Sequence, residues 1–225
     1  MNVVIQSKLK GARRARGAVV VIDVLRATSV IASFLAHGAK AVYISDRLRH
    51  AYNLKMHNPS FILAGERYSI RLPGFDYGNN AIDVPRLKVK GKSIILTTSN
   101  GTRGIVNAAR HADEIITASF LNAEAVVRYL KKKKSGLITL VPMGITRFRM
   151  KQYEDEACAR YICDRLHGKK PDFKDIRRSG MIRDGALRLK MFGAKKDLEF
   201  CFTLDKFNVV PKVFKEGSEL VVRKA

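Results

Sequence analysis

SIILTTSNGTRGIVNAA, residues 93–109, decides how this chain is read. Its aliphatic opening (Ile94, Ile95, Leu96) has the length of a strand. Six small polar residues follow, Thr97-Thr98-Ser99-Asn100-Gly101-Thr102, and the apolar pattern then resumes with helical spacing. A strand that delivers a hydroxyl-rich, glycine-containing turn onto a helix N-terminus builds an anion site. The first N–H groups of the helix lack intrahelical partners, its dipole end is positive, and the hydroxyls add donors.

A second stretch repeats the arrangement. Residues 18–24 form a nearly continuous apolar run, residues 27–37 follow at helical spacing, and Gly38 stops them. Two such turns in one small protein predict a ligand with more than one anionic group. Outward from these, strands and helices alternate. Strands are expected at 40–45, 61–64, 114–118, 137–142, 198–204 and 209–213, and helices at 48–57, 123–132, 152–166 and 184–192. A polar loop with Gly and Pro runs from 69 to 85. The alternation predicts an α/β class: a layered, largely parallel or mixed sheet flanked by helices. The chain reads as one unit, 1–225, and if two lobes exist the cut falls near 131–136 or 167–175.

At 225 residues, with 46% hydrophobic and 28% charged residues, the composition is that of a globular protein with room for a substantial core. No apolar run reaches membrane-spanning length, so no membrane partner is expected. The basic N-terminus is not followed by a signal-peptide core, and the expected location is cytoplasmic. Three cysteines, Cys158, Cys163 and Cys201, form no CxxC pair, and Cys158 and Cys163, on an expected helix among apolar residues, read as buried small hydrophobes. Five scattered histidines exclude a zinc site or a Ser-His-Asp triad. The net charge of +23 favours anionic partners. Residues 166–196 hold ten basic and three acidic residues, and Lys131–Lys134 form a tetralysine block suited to a helix C-terminus. The stacking aromatics of a nucleic-acid platform are lacking, so nucleic acid stays a secondary alternative.

Asp23 closes an apolar strand, with Arg26 and Thr28 just past it. A carboxylate at such a strand end suits metal or nucleophile duty, and the alternative is capping of the next helix. Leu25 stands where a haloacid-dehalogenase phosphatase carries its second aspartate, which counts against that family's aspartyl-phosphate mechanism. Glu66-Arg67 end another strand, with Arg71 nearby, and a guanidinium can chelate two phosphate or sulfonate oxygens. In PGFDYGNN (73–80) two glycines flank Asp76, as in a loop that brings a carboxylate to a metal or in a plain tight turn. Glu154 and Asp155 open the longest helix. There they either compensate its dipole, at about 0.3–1 kcal/mol each, or hold a hard cation.

Seven segments in order resemble the 2-phosphosulfolactate phosphatase (ComB-like) family over nearly the whole chain. They are VVVIDVLRATSVIASFLAHGAKAVY (19–43), LAGER (63–67), LPGFDYGNN (72–80), ILTTSNGTRGI (95–105), ASFLNAEAV (118–126), YEDEACARYICDRL (153–166) and DLEFCFTLDKFNVVP (197–211). The resemblance implies a ComB-like fold and a Mg²⁺-dependent hydrolase that converts (2R)-2-phospho-3-sulfolactate to 3-sulfolactate, a step toward coenzyme M in methanogens. The implied partner is this small anionic phosphorylated substrate, with a homodimer left open. By the same resemblance Asp23, Asp76, Glu154 and Asp155 are metal ligands, and Asp23, Arg26 and Arg67 are catalytic. Thr28, Glu66, Asn79, Asn100, Gly101 and Thr102 are substrate-binding. Two departures from the family pattern sit where selectivity is decided. Asn80-Ala81 replace the common Ser-Pro, and Val141-Pro142-Met143-Gly144, with Arg147 and Arg149 nearby, replace a small Cys/Ala-Gly turn.

Overall fold

A computed structural model describes residues 1–144, 153–191 and 193–225. The described strands are β1 (Asn2–Ile5), β2 (Ala18–Ile22), β3 (Ala41–Ile44), β4 (Ile62–Gly65), β5 (Ser93–Thr97), β6 (Glu114–Ala118), β7 (Leu137–Pro142), β8 (Pro211–Glu216) and β9 (Glu219–Lys224). The helices are α1 (Lys8–Arg14), α2 (Ala27–Ala36), α3 (Leu48–His57), α4 (Gly101–Ala108), α5 (Ala123–Lys133), α6 (Tyr153–Leu166), α7 (Phe173–Gly180), α8 (Asp184–Met191) and α9 (Lys195–Cys201). The expected helix boundaries at Gln152 and Phe192, and Arg147 and Arg149, lie outside the described residues.

The strands form one mixed sheet in the order β1-β7-β2-β6-β8-β9-β3-β5-β4. β1, β7, β2 and β6 run parallel, as do β3, β5 and β4. The hairpin β8–β9 stands between these halves and pairs antiparallel on both sides. Crossing it reverses strand direction once. Five strand-to-strand steps separate β2 from β5, and at about 20–25° of twist per step the directions rotate by roughly 100–125° as well. Together, reversal and twist bring the carboxyl ends of the two parallel halves toward each other, and the loops after β2 and β5 meet there.

All five residues of β2, Ala-Val-Val-Val-Ile, are buried, which is why that strand reads as a continuous apolar run. The main core joins β2, β3, β5, β6 and β7 with helices α2, α4, α5 and α6, and Phe34, Phe120 and Phe202 are its largest wholly buried side chains. Each fully buried Val, Leu or Ile contributes about 1.5–3 kcal/mol relative to exposure. A satellite cluster of Ala51, Leu63, Phe75 and Ile95 lies beneath α3. The tetralysine block ends α5 as expected, with Lys134 in the left-handed region at φ 52°. Residues 131–136 turn from α5 into β7, and 167–175 from α6 into α7.

The C-terminal third departs from expectation. Residues 198–204, expected as a strand, lie largely in helix α9, where Asp197, Leu198, Cys201 and Phe202 form one buried stripe. The expected strand at 209–213 begins at Pro211 and pairs with β9, which periodicity had not marked. β1, α1 and α7 were also unmarked. Cys158 and Cys201 are buried and all three thiols are free, while Cys163 is half-exposed. No helix among the described residues is long and apolar enough to cross a membrane.

Candidate active site

Asp23 sits where β2 gives way to α2. Its Oδ1 accepts from the Ala27 N–H at 3.2 Å, and its carbonyl accepts from the Thr28 N–H at 3.0 Å. The cap expected as an alternative role is therefore real. Thr28 Oγ1 donates to the Asp23 carbonyl at 2.8 Å and accepts from the Asp23 N–H at 3.0 Å. That hydroxyl fixes the loop rather than projecting from it. Asp23 Oδ2 points at α4: a Cβ built on Gly101 would lie 2.7 Å from it and 2.4 Å from Ala27 Cβ. Glycine is what lets the second helix start against the first loop. Gly104, one turn on, lies in the same way against Met143 Sδ.

The turn before α4 is locked by its own hydroxyls. Thr102 N donates to Thr98 Oγ1 at 3.2 Å, Thr98 N donates to Thr102 Oγ1 at 3.1 Å, and Thr102 Oγ1 donates to the Thr98 carbonyl. Asn100 occupies the N-cap position and its side chain makes no cap bond. Glu66 reaches across from β4. Its Oε1 accepts from Ser99 N at 2.8 Å and its Oε2 from Ser69 N at 2.6 Å, so the carboxylate ties two loops together. Gly65, at φ 141°, approaches the Thr97 carbonyl so closely that a Cβ would stand 1.9 Å from its oxygen. Arg67 donates from Nη2 to Thr97 Oγ1 and from Nη1 to the Glu66 carbonyl, both at 2.8 Å. Burial lowers its pKa, with the neighbouring Arg103 acting in the same direction and Glu66 opposing.

Asp155, in the first turn of α6, joins the β2–α2 loop to the segment after β7. Oδ1 accepts from Val24 N at 2.7 Å and Oδ2 from Gly144 N at 2.9 Å. Burial first, then the carboxylates of Asp23 and Glu154, push Asp155 well above the usual carboxylate range, against the pull of the two N–H bonds. Glu154 is 1% exposed and lies against Gly185 of α8.

The Mg²⁺ implied by the family resemblance can be tested against these donors. The charges of Asp23 and Glu154 raise the buried Asp155, and a hard dication relieves such a cluster, so the chemistry fits. Among the described residues no three His, Cys, Asp or Glu side chains form a ready cage. Mg²⁺ itself takes one or two carboxylates and completes its shell with water and phosphate oxygens.

Arg26 is gripped from behind. Nη1 donates to Asp197 Oδ2 at 3.1 Å and also to Asn80 Oδ1. Asp197 Oδ1 accepts from Ile82 N at 2.9 Å, and Asn80 Nδ2 donates to Asp83 Oδ2 at 2.9 Å. Sequence reasoning missed Asp197, because its segment was read as a strand and its partner is far away in sequence. Burial raises the pKa of Asp197, and Arg26 opposes the rise.

The structure thus gathers Asp23, Arg26, Thr28, Gly101, Thr102 and Asp155, with Glu154 beside Asp155 on α6. Glu66 and Arg67 fasten the wall formed by the β5–α4 turn. Asp76 stands apart from this group. It is exposed on the loop beside β4, where its Oδ2 accepts from Leu63 N at 2.8 Å and pairs with Lys55 at 3.1 Å. These bonds are those of a carboxylate that fixes a turn.

A family model described as 2-phosphosulpholactate phosphatase matches residues 3–216. A protein of Thermotoga petrophila named "Probable 2-phosphosulfolactate phosphatase" is 39% identical, covering 85% of this chain and 87% of its own. A protein of the same name from Carboxydothermus hydrogenoformans is 36% identical over 96% of this chain and 93% of its own. One from Caldanaerobacter subterraneus, again so named, is 36% identical over 87% of each.

Proposed function

The chain belongs to the 2-phosphosulpholactate phosphatase family, and on that premise we propose that it hydrolyses (2R)-2-phospho-3-sulfolactate to 3-sulfolactate and phosphate in a Mg²⁺-dependent reaction. One observation carries the reading: Asp23 Oδ2 meets the start of α4 while the same loop is bonded to Asp155. Two helix N-termini and two buried carboxylates thereby share one point.

Backbone N–H groups of Asn100 and Gly101, in the turn that Thr102 locks through Thr98, receive one anionic group of the substrate, favoured by the dipole of α4. Thr28, Glu66 and Thr102 act through the loops they hold, since their polar atoms are bonded within the chain. Arg26 is preorganised by Asp197 and stabilises charge that develops on the phosphoryl group, with Arg67 supporting the opposite wall. Asp23 and Asp155 would hold Mg²⁺, with Glu154 adding negative charge beside them. When bound, the ion supplies Lewis-acid stabilisation of phosphate charge.

The test is phosphate release from phosphosulfolactate with Mg²⁺ present and again after EDTA. The reading expects turnover in the first and none in the second. Turnover that persists in EDTA would remove the metal from it, and no turnover with Mg²⁺ would remove the substrate.

A further inference from the structure

Beside Arg26 opens a cleft of about 430 Å³, lined by Arg26, Arg71, Asn79, Asn80, Asp83 and Arg86 among others. Its volume falls within the span of roughly 300–1,000 Å³ typical of small-molecule sites. We propose that this cleft takes the non-hydrolysed anionic end of the substrate, a sulfonate or carboxylate, and that Arg71 and Arg86 recognise it. The proposal rests on the phosphatase reading and names specificity residues for it.

Four observations carry it. The cleft is lined by Arg26, which belongs to the same loop as Asp23 and so ties the cleft to the carboxylate centre through one short stretch of backbone. Arg26 is immobilised by Asp197 and Asn80, so it offers a fixed guanidinium with little ordering cost. Arg71 and Arg86 are both exposed, and neither pairs with a carboxylate among the described residues. Asp197 is occupied by Arg26 and Ile82, and Asp83 by Asn80, which leaves the two outer guanidiniums uncompensated at the cleft mouth.

Asn79 supplies the fourth observation. It is 4% exposed, it lines the cleft, and its Oδ1 is buried without a hydrogen-bond partner among the described residues. A buried acceptor left open is costly unless something completes it. A ligand hydroxyl, or the water that an anion orders around itself, does so. Asn80 adds a trait of this chain, since it stands where the resembling family commonly carries Ser. Its amide reaches Arg26 and Asp83 at once, so the floor of the cleft is set by a longer side chain.

The test is a binding measurement that does not depend on turnover. Sulfoacetate, malonate and inorganic phosphate are titrated calorimetrically, with Mg²⁺ present, into the wild type and the Arg71→Met, Arg86→Met and Arg178→Met variants. Arg178 is an exposed control on α7. The expected result is at least a tenfold weaker affinity for sulfoacetate in the Arg71 and Arg86 variants, no change in Arg178→Met, and unchanged phosphate binding throughout. A larger loss for sulfoacetate than for malonate assigns the cleft to sulfonate, and the reverse order assigns it to carboxylate. Absence of sulfoacetate binding to the wild type overturns the proposal, as does an equal loss in all three variants. Absence of turnover alongside arginine-dependent sulfoacetate binding counts against the phosphatase reading and leaves the anion cleft standing.

Discussion

Asp197 accepts from Arg26 at 3.1 Å, with the two side chains only 3% and 5% exposed. A buried pair of this kind is costly to break from one side, because the surviving charge keeps its desolvation penalty without compensation. Asp197→Leu and Arg26→Met are each expected to lower stability by about 3–5 kcal/mol, and the double variant Arg26→Met/Asp197→Leu by less than either single change. Urea denaturation of the four proteins of the cycle checks this. Purely additive losses would show that the pair is not coupled.

Asp23 has two duties that one substitution separates. Asn caps helices about as well as Asp, so Asp23→Asn keeps the bond to the Ala27 N–H and removes the charge. Melting should therefore shift little, while phosphate release falls by a hundredfold or more. A variant that melts normally and turns over normally would reduce Asp23 to its capping role.

Gly101→Ala runs against the usual trend. Inside a helix the change ordinarily favours stability by about 1 kcal/mol. Here the new methyl would stand 2.4 Å from Ala27 Cβ, and overpacking of that kind costs about 1–3 kcal/mol. We expect a lower melting temperature together with reduced phosphate release, since the start of α4 is pushed away from Asp23. A stabilised, fully active variant would show that the two helices can part without consequence.

Glu114 gives stability a pH dependence of known sign. Burial pushes its pKa up, but hydrogen bonds from Tyr129 and Lys212 and the charges of Lys212 and Lys133 outweigh burial and leave it below the usual value. A carboxylate whose folded pKa is depressed adds stability above its unfolded pKa and loses it as pH falls through the folded one. Glu114→Gln should therefore cost about 1.5 kcal/mol near neutrality, with the deficit closing as the pH drops below the carboxylate range. Melting curves of both proteins from neutral to acid pH follow the effect.

The parallel strands were legible because burial on both faces writes them as unbroken apolar runs. The two turns were legible because small hydroxylated residues cluster where strand passes to helix. The strand expected at 198–204 misled for a related reason: the stretch from Asp197 onward, Asp-Leu-Glu-Phe-Cys-Phe, carries strand formers at its Phe positions. Its buried positions, 197, 198, 201 and 202, follow helical spacing that a short window does not separate from alternation. Asp197 could not be recognised as a partner of Arg26, since nothing local marks a contact across 171 residues. Asp76 entered the metal set through the resemblance of its loop, and its bonds to Leu63 and Lys55, which place it at the edge of the sheet, join segments that no local pattern marks as neighbours.

The hairpin of β8 and β9 has a consequence for how the protein is made. The strands it joins, β6 and β3, have no pairing with each other, so residues 211–224 are the seam between the two parallel halves. During translation both halves leave the ribosome before their seam does. A nascent chain halted ahead of Pro211 carries the loops after β2 and β5 without the ribbon that joins their two halves of the sheet. The single sheet is therefore complete only when this last short ribbon has emerged.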